Sequence, residues 1–93
     1  MNIKETLINK YGYVVSEAAT METELLNLDE KVAVIFENWK ATGDESSSVD
    51  FEGYSIDSLK EDYEMNFFAS LVTLDWIVKE PQVALSALAE GIM

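Results

Sequence analysis

The side chains able to do chemistry in this sequence are mostly carboxylates, and they are concentrated in one stretch. Residues 43–64, called the acidic segment below, contain eight acidic residues and one lysine, which leaves a net charge of −7. The acidic residues are Asp44, Glu45, Asp50, Glu52, Asp57, Glu61, Asp62 and Glu64. A run of like charge either keeps a protein soluble or offers a surface to a basic partner. These eight residues are our candidate partner-binding residues.

Metal-binding and catalytic interpretations of the acidic segment fail on spacing. With Asp44 as the first ligand of a calcium loop, position 6 is Val49 instead of glycine and position 12 is Ser55 instead of glutamate. Glu61 and Glu64 form an ExxE pattern of the kind that all-α nucleotide pyrophosphohydrolases use for magnesium, but the second motif, ExxD, is absent. We therefore expect no metal site, no cofactor and no enzymatic activity.

The composition of the whole chain excludes further mechanisms. The 93 residues carry a net charge of −12 and include no histidine, cysteine or arginine. Disulfides, thiol nucleophiles, the usual base at neutral pH and the bidentate clamp for phosphate are thus missing. A body this negative repels nucleic acids and anionic membranes. We expect a protein partner with a basic surface, with no direct contact to nucleic acid or membrane.

Length and hydropathy predict one domain over residues 1–93. Hydrophobic residues make up 48% of the chain, which is enough for a core. The longest apolar-rich stretch, residues 65–78, is interrupted by polar side chains and is shorter than the roughly 20 residues that span a bilayer. The first residues lack the apolar run of a signal peptide. The expected location is the cytoplasm.

Apolar spacing predicts an all-α fold. A heptad seam with alternating steps of four and three is formed by Val14, Ala18, Met21, Leu25, Leu28, Val32, Ile35 and Trp39. It predicts a helix over residues 14–42, with a break at residues 27–29 as the alternative, because Asp29 is a suitable cap. The same spacing predicts a second long helix that starts at Ser55 or Ser58 and ends at residue 79.

Capping residues and breakers complete a compact domain of three to four helices, with the two long ones packed antiparallel. Asn2 and Gly12 bound a short first helix, and Ser16 is the expected cap of the next. Pro81 opens a last helix. Its apolar residues are Val83, Leu85, Leu88 and Ile92. The expected core includes Leu28, Ile35, Leu71 and Leu74.

Two further expectations concern charged residues near the apolar positions. Asp75 lies among apolar neighbours, and Lys79, four residues on, is its expected partner. In a parallel pair of seams, Glu17 would face Glu22 of the other copy. This like-charge contact disfavours such a dimer, so we expect the chain's own second long helix to cover the seam.

The composition resembles that of small phage or mobile-element proteins that block host nucleic-acid enzymes, such as anti-CRISPR and anti-restriction proteins. The resemblance implies an inhibitor that occupies a basic nucleic-acid-binding site with its acidic surface. One alternative is a non-enzymatic helical adaptor or assembly protein that functions through its apolar seams, with its oligomeric state left open. Another is a carrier for a nucleotide messenger, which six lysines and no arginine make less favourable.

Overall fold

The computed structural model describes residues 2–91, which form helices joined by short turns and one longer loop. The helices in this range are α1 (Ile3–Tyr11), α2 (Val15–Leu25), α3 (Glu30–Thr42), α4 (Ile56–Tyr63), α5 (Phe67–Lys79) and α6 (Pro81–Glu90). Within residues 2–91, strand-like pairing is limited to one isolated antiparallel bridge between Phe51 and Tyr54. The all-α prediction is confirmed for this range; Ile92, predicted for the last helix, lies outside it.

The heptad segment is two helices instead of one. α2 ends at Leu25 and α3 begins at Glu30. The Asp29 side chain accepts a hydrogen bond from the backbone N–H of Lys31 at 3.0 Å and so caps α3. The continuous helix over residues 14–42 is therefore wrong, and the break that Asp29 suggested is correct. The apolar spacing hid the break because both helices face the same core.

The second long helix is also divided. α4 ends before Glu64, whose φ of 56° is left-handed, and the Asn66 side chain accepts from the backbone N–H of Ala69 at 2.8 Å to start α5. The prediction of one helix to residue 79 is wrong because a left-handed residue and a new cap intervene. Six helices in residues 2–91 thus replace the expected three to four, and the longest of them have 13 residues.

α5 is the central helix and packs against α2, α3, α4 and α6. Its buried side chains are Phe67, Phe68, Ser70, Leu71, Thr73, Leu74 and Ile77. Of the four expected core residues, Ile35, Leu71 and Leu74 are buried, whereas Leu28 is only partly buried, in the turn between α2 and α3. A helix that is apolar on several sides is typical of a central, buried position.

The heptad seam faces this core. Ala18, Leu25, Val32 and Trp39 are at most 2% exposed, and only its first residue, Val14, is largely exposed. Because α5 packs against α2 and α3, the chain itself covers the seam, as expected. Most of the seam is therefore part of the core of the chain itself.

Several helix ends are where the capping residues predicted them. Asn2 accepts from the backbone N–H of Glu5 at 3.0 Å, Ser55 caps α4, and Pro81 is the first residue of α6. Ser16, however, lies inside α2, which begins after Val14, so that prediction is wrong. None of the helices described in residues 2–91 is long and apolar enough to cross a membrane.

Candidate protein-binding surface

The loop between α3 and α4, which carries the first half of the acidic segment, is attached to α4. The backbone N–H of Ser47 donates to the Asp57 carboxylate at 3.0 Å, and the N–H of Asp57 donates to the Ser47 carbonyl at 3.2 Å. The Lys60 ammonium donates to the Glu45 carbonyl at 2.9 Å. These bonds hold the loop against the helix without regular secondary structure.

Glu45 is an internal anchor rather than a freely presented carboxylate. Its side chain is only 21% exposed and accepts from the Lys10 ammonium at 2.6 Å and from the Tyr11 hydroxyl at 2.7 Å. Both donors belong to α1, so Glu45 ties the loop to the first helix. Nothing in the sequence pattern indicated this contact, because its partners lie 34 and 35 residues away.

This cluster shifts the pKa values of its members in opposite directions. Burial favours the neutral form of Glu45, but the hydrogen bonds from Lys10 and Tyr11 and the lysine charge outweigh it, so its pKa is below the ordinary value. Burial, followed by the hydrogen bond to Glu45, raises the pKa of Tyr11 to about 12. The hydrogen bond to Glu45 also raises the pKa of Lys10. At neutral pH the ion pair and the protonated phenol are therefore stable together.

Three aspartates of the acidic segment remain exposed while bonding to nearby backbone. Asp44 accepts from the hydroxyl and the N–H of Ser46, which lowers its pKa. Asp50 accepts from the N–H of Gly53 at 2.9 Å, and Asp57 from Ser47. These bonds order the turns and leave part of each carboxylate facing solvent.

Four carboxylates are presented without internal partners: Glu52, Glu61, Asp62 and Glu64. All four are exposed, and none makes a hydrogen bond or ion pair through its side chain with another residue of the range 2–91. They lie on the turn before α4 and at the C-terminal end of α4. Of the eight predicted residues, the structure therefore leaves seven exposed and keeps Glu45 for the fold.

Two of these carboxylates belong to residues whose backbone conformation favours glycine. Glu52 and Glu64 have φ values of 55° and 56°, and they are the two non-glycine residues with positive φ in residues 2–91. The left-handed region is unfavourable for side chains other than glycine, asparagine and aspartate. A helix C-terminus also carries partial negative charge, which disfavours the nearby Glu61 and Asp62. The acidic groups are placed here against local stability.

The carboxylates of the acidic segment are spread over the loop and α4. Among residues 2–91, no group of three or more His, Cys, Asp or Glu side chains is arranged to hold a metal ion. Asp57 and Glu61 lie four residues apart on one face of α4, but Asp57 bonds to the loop and Glu64 lies past the end of the helix, so Glu64 does not continue that face.

Comparison with protein-family models, with curated proteins and with solved structures found no match to this chain.

Proposed function

We propose that this protein is a non-enzymatic inhibitor whose acidic segment occupies a basic, nucleic-acid-binding site on another protein. The carboxylates of Glu52, Glu61, Asp62 and Glu64 would take the place of phosphates in that site. Composition supports a role in phage or mobile-element counter-defence, of the anti-CRISPR or anti-restriction type, in the cytoplasm of the host.

The observation that carries the proposal is the left-handed backbone of Glu52 and Glu64. A requirement for solubility alone is met by acidic residues at any exposed position, including helix N-termini, where they also stabilise the helix. Acidic groups kept at positions that oppose helix stability suggest that their location itself matters. Local sequence rules are most often broken at functional sites.

The physical basis of binding is long-range attraction with release of counterions. A basic groove that accepts duplex DNA faces about one phosphate charge per 1.7 Å, and it is surrounded by anions when empty. A rigid set of carboxylates attracts the groove, speeds association and releases those anions. The bonds of Glu45 and Asp57 support this by holding the loop in place before binding, which reduces the entropy lost on association.

The proposal is tested with a charge-reversed variant in which Glu52, Glu61, Asp62 and Glu64 become lysine. Asp57 is kept, because its carboxylate anchors the loop. Each substitution adds two charges, so the net charge changes from −12 to −4. The immobilised wild-type protein should capture nucleic-acid-binding enzymes from a bacterial lysate at low salt, duplex DNA should displace them, and the variant should capture none.

A matched control carries the same change of charge elsewhere. Lysine replaces four exposed acidic residues outside the acidic segment that make no side-chain hydrogen bond or ion pair within residues 2–91: Glu5, Glu24, Glu30 and Glu90. The control should keep most of the capture, and circular dichroism should show both variants helical. Equal loss in both variants, or captured proteins that DNA fails to displace, would contradict the proposal.

Glycine variants separate binding from stability. In Glu52→Gly and Glu64→Gly, relief of the left-handed strain offsets the greater freedom of glycine when unfolded, so the free energy of unfolding should stay equal or rise by up to about 1 kcal/mol. Capture should weaken in both variants because a carboxylate is lost. Glu52→Gln and Glu64→Gln should weaken capture without any rise in the free energy of unfolding. Glycine variants that bind normally would show that these carboxylates are not part of the surface.

A further inference from the structure

A groove of about 510 Å³ lies where the C-terminal ends of α2 and α5 meet, outside the acidic segment. Val72 and Trp76, both half-buried, supply its apolar floor, and the exposed Glu24 and Glu80 stand at its rim. Small-molecule sites are commonly about 300–1,000 Å³, mostly apolar, and contain a few convergent polar groups. The groove has these properties.

The one cation of the groove is already neutralised. The Lys79 ammonium pairs with Asp75 at 2.9 Å and donates to the Asn27 carbonyl at 2.7 Å. Glu24 and Glu80 make no side-chain hydrogen bond or ion pair with any other residue in the described range 2–91. The groove therefore presents two uncompensated carboxylates above an aromatic and aliphatic surface.

The two helix ends add to this negative potential. α2 has 11 residues and α5 has 13, and residues at the C-terminal end of each helix line the groove. The aligned peptide dipoles give each C-terminus partial negative charge, which attracts cations. The last turn of α2 contains no basic residue, and the basic residue in the last turn of α5, Lys79, is paired with Asp75.

We propose that this groove binds an organic cation, a primary ammonium group on an aliphatic stem. The ammonium group meets Glu24 and Glu80, and the stem lies on Val72 and Trp76, where contact with the indole ring also favours a nearby cation. A free diamine and a lysine side chain share this chemistry. The site is independent of the acidic segment and does not rest on the inhibitor function.

The test is a nuclear magnetic resonance titration of the ¹⁵N-labelled full chain at low ionic strength. One arm uses 1,5-diaminopentane, a second uses Nα-acetyl-lysine amide, and 1-pentanol is the uncharged control. Both amines should give saturable shifts at Val72, Trp76 and Lys79, and pentanol should not. Because the diamine carries two charges and the lysine analogue one, their affinities are compared again at 0.15 M NaCl, where general attraction is screened. The amine that binds more tightly there identifies the source of the ligand.

Two double variants distinguish the groove from general attraction of cations. Glu24→Gln with Glu80→Gln removes two exposed charges from the rim and should weaken binding roughly tenfold, about the effect of one charge-assisted contact. Glu61→Gln with Glu64→Gln removes the same charge from the acidic segment and should change affinity less than about twofold. Equal weakening in both, or shifts spread over the acidic segment without saturation, would overturn the proposal.

Discussion

Glu45 and Asp75 each hold together parts of the chain that are far apart in sequence. Glu45 bonds to α1 from the loop before α4, and Asp75 bonds from α5 to the N–H of Asp29 at 2.6 Å and to Lys79. The expected Asp75–Lys79 pair is confirmed. Half-buried carboxylates are tolerated because charge-assisted bonds offset their loss of water. At the residue scale, the same side-chain type serves both the fold and the exposed surface.

Glu45→Gln should destabilise the protein in a pH-dependent way. The pKa of Glu45 is lower in the folded protein than in the unfolded chain, where it is about 4.3. Ionised Glu45 therefore stabilises the fold at pH values above about 4.3, and this stabilisation is lost as the pH falls through the pKa of the folded protein. Urea unfolding at pH 7 should show a loss of about 1–2 kcal/mol, limited by the exposure of Lys10. Below the pKa of Glu45 in the folded protein, the wild type and the variant should have similar free energies of unfolding. A difference in stability that does not change with pH would contradict this role of Glu45.

At the element scale, the connections between helices carry the information that the apolar pattern lacks. The seam spacing passes through residues 26–29 without interruption, yet the chain turns there because Asp29 caps α3 and is itself held by Asp75. Between α4 and α5, the turn depends on the conformation of Glu64 and the cap at Asn66. Periodicity therefore predicts which residues are buried better than where helices end.

Asp75→Ala should show how much this contact between elements contributes. The substitution leaves the N–H of Asp29 and the Lys79 ammonium without their acceptor, so we expect a loss of about 2–3 kcal/mol in urea unfolding. Asp62→Ala is the control, since Asp62 is exposed, and it should change stability by less than about 0.5 kcal/mol. Similar values for the two variants would mean that Asp75 does not stabilise the turn.

The whole molecule combines a compact shape with high net charge. Its radius of gyration is 12.6 Å, close to the roughly 12 Å expected for a chain of this length, and it carries a charge of −12. Compaction brings like charges together, so self-repulsion opposes folding. The buried aromatic cluster around Trp39, with ring centroids 4.9 Å from Phe68 and 5.8 Å from Phe67, contributes to overcoming it.

Added salt should therefore stabilise this protein. Raising NaCl from 0.01 M to 0.1 M shortens the screening length from about 30 Å to about 10 Å, less than the longest dimension of 32 Å. The thermal midpoint should rise by several degrees. In a domain of this size, about 1 kcal/mol of added stability raises the midpoint by roughly 4–8 °C. The thermal midpoint of the charge-reversed variant, whose net charge is −4, should rise clearly less. An equal gain would indicate a general salt effect instead of relief of repulsion.

The sequence by itself determined the helical class, the core positions Ile35, Leu71 and Leu74, and the concentration of charge in residues 43–64. These properties depend on composition and on spacing along the chain, which are local. Only the tertiary structure decided that Glu45 is an anchor, that Glu52 and Glu64 are left-handed, and that α2 and α5 form a groove. Each of these features depends on contacts between distant residues or on backbone conformations that packing imposes. Such contacts and conformations produce no periodic pattern in the sequence.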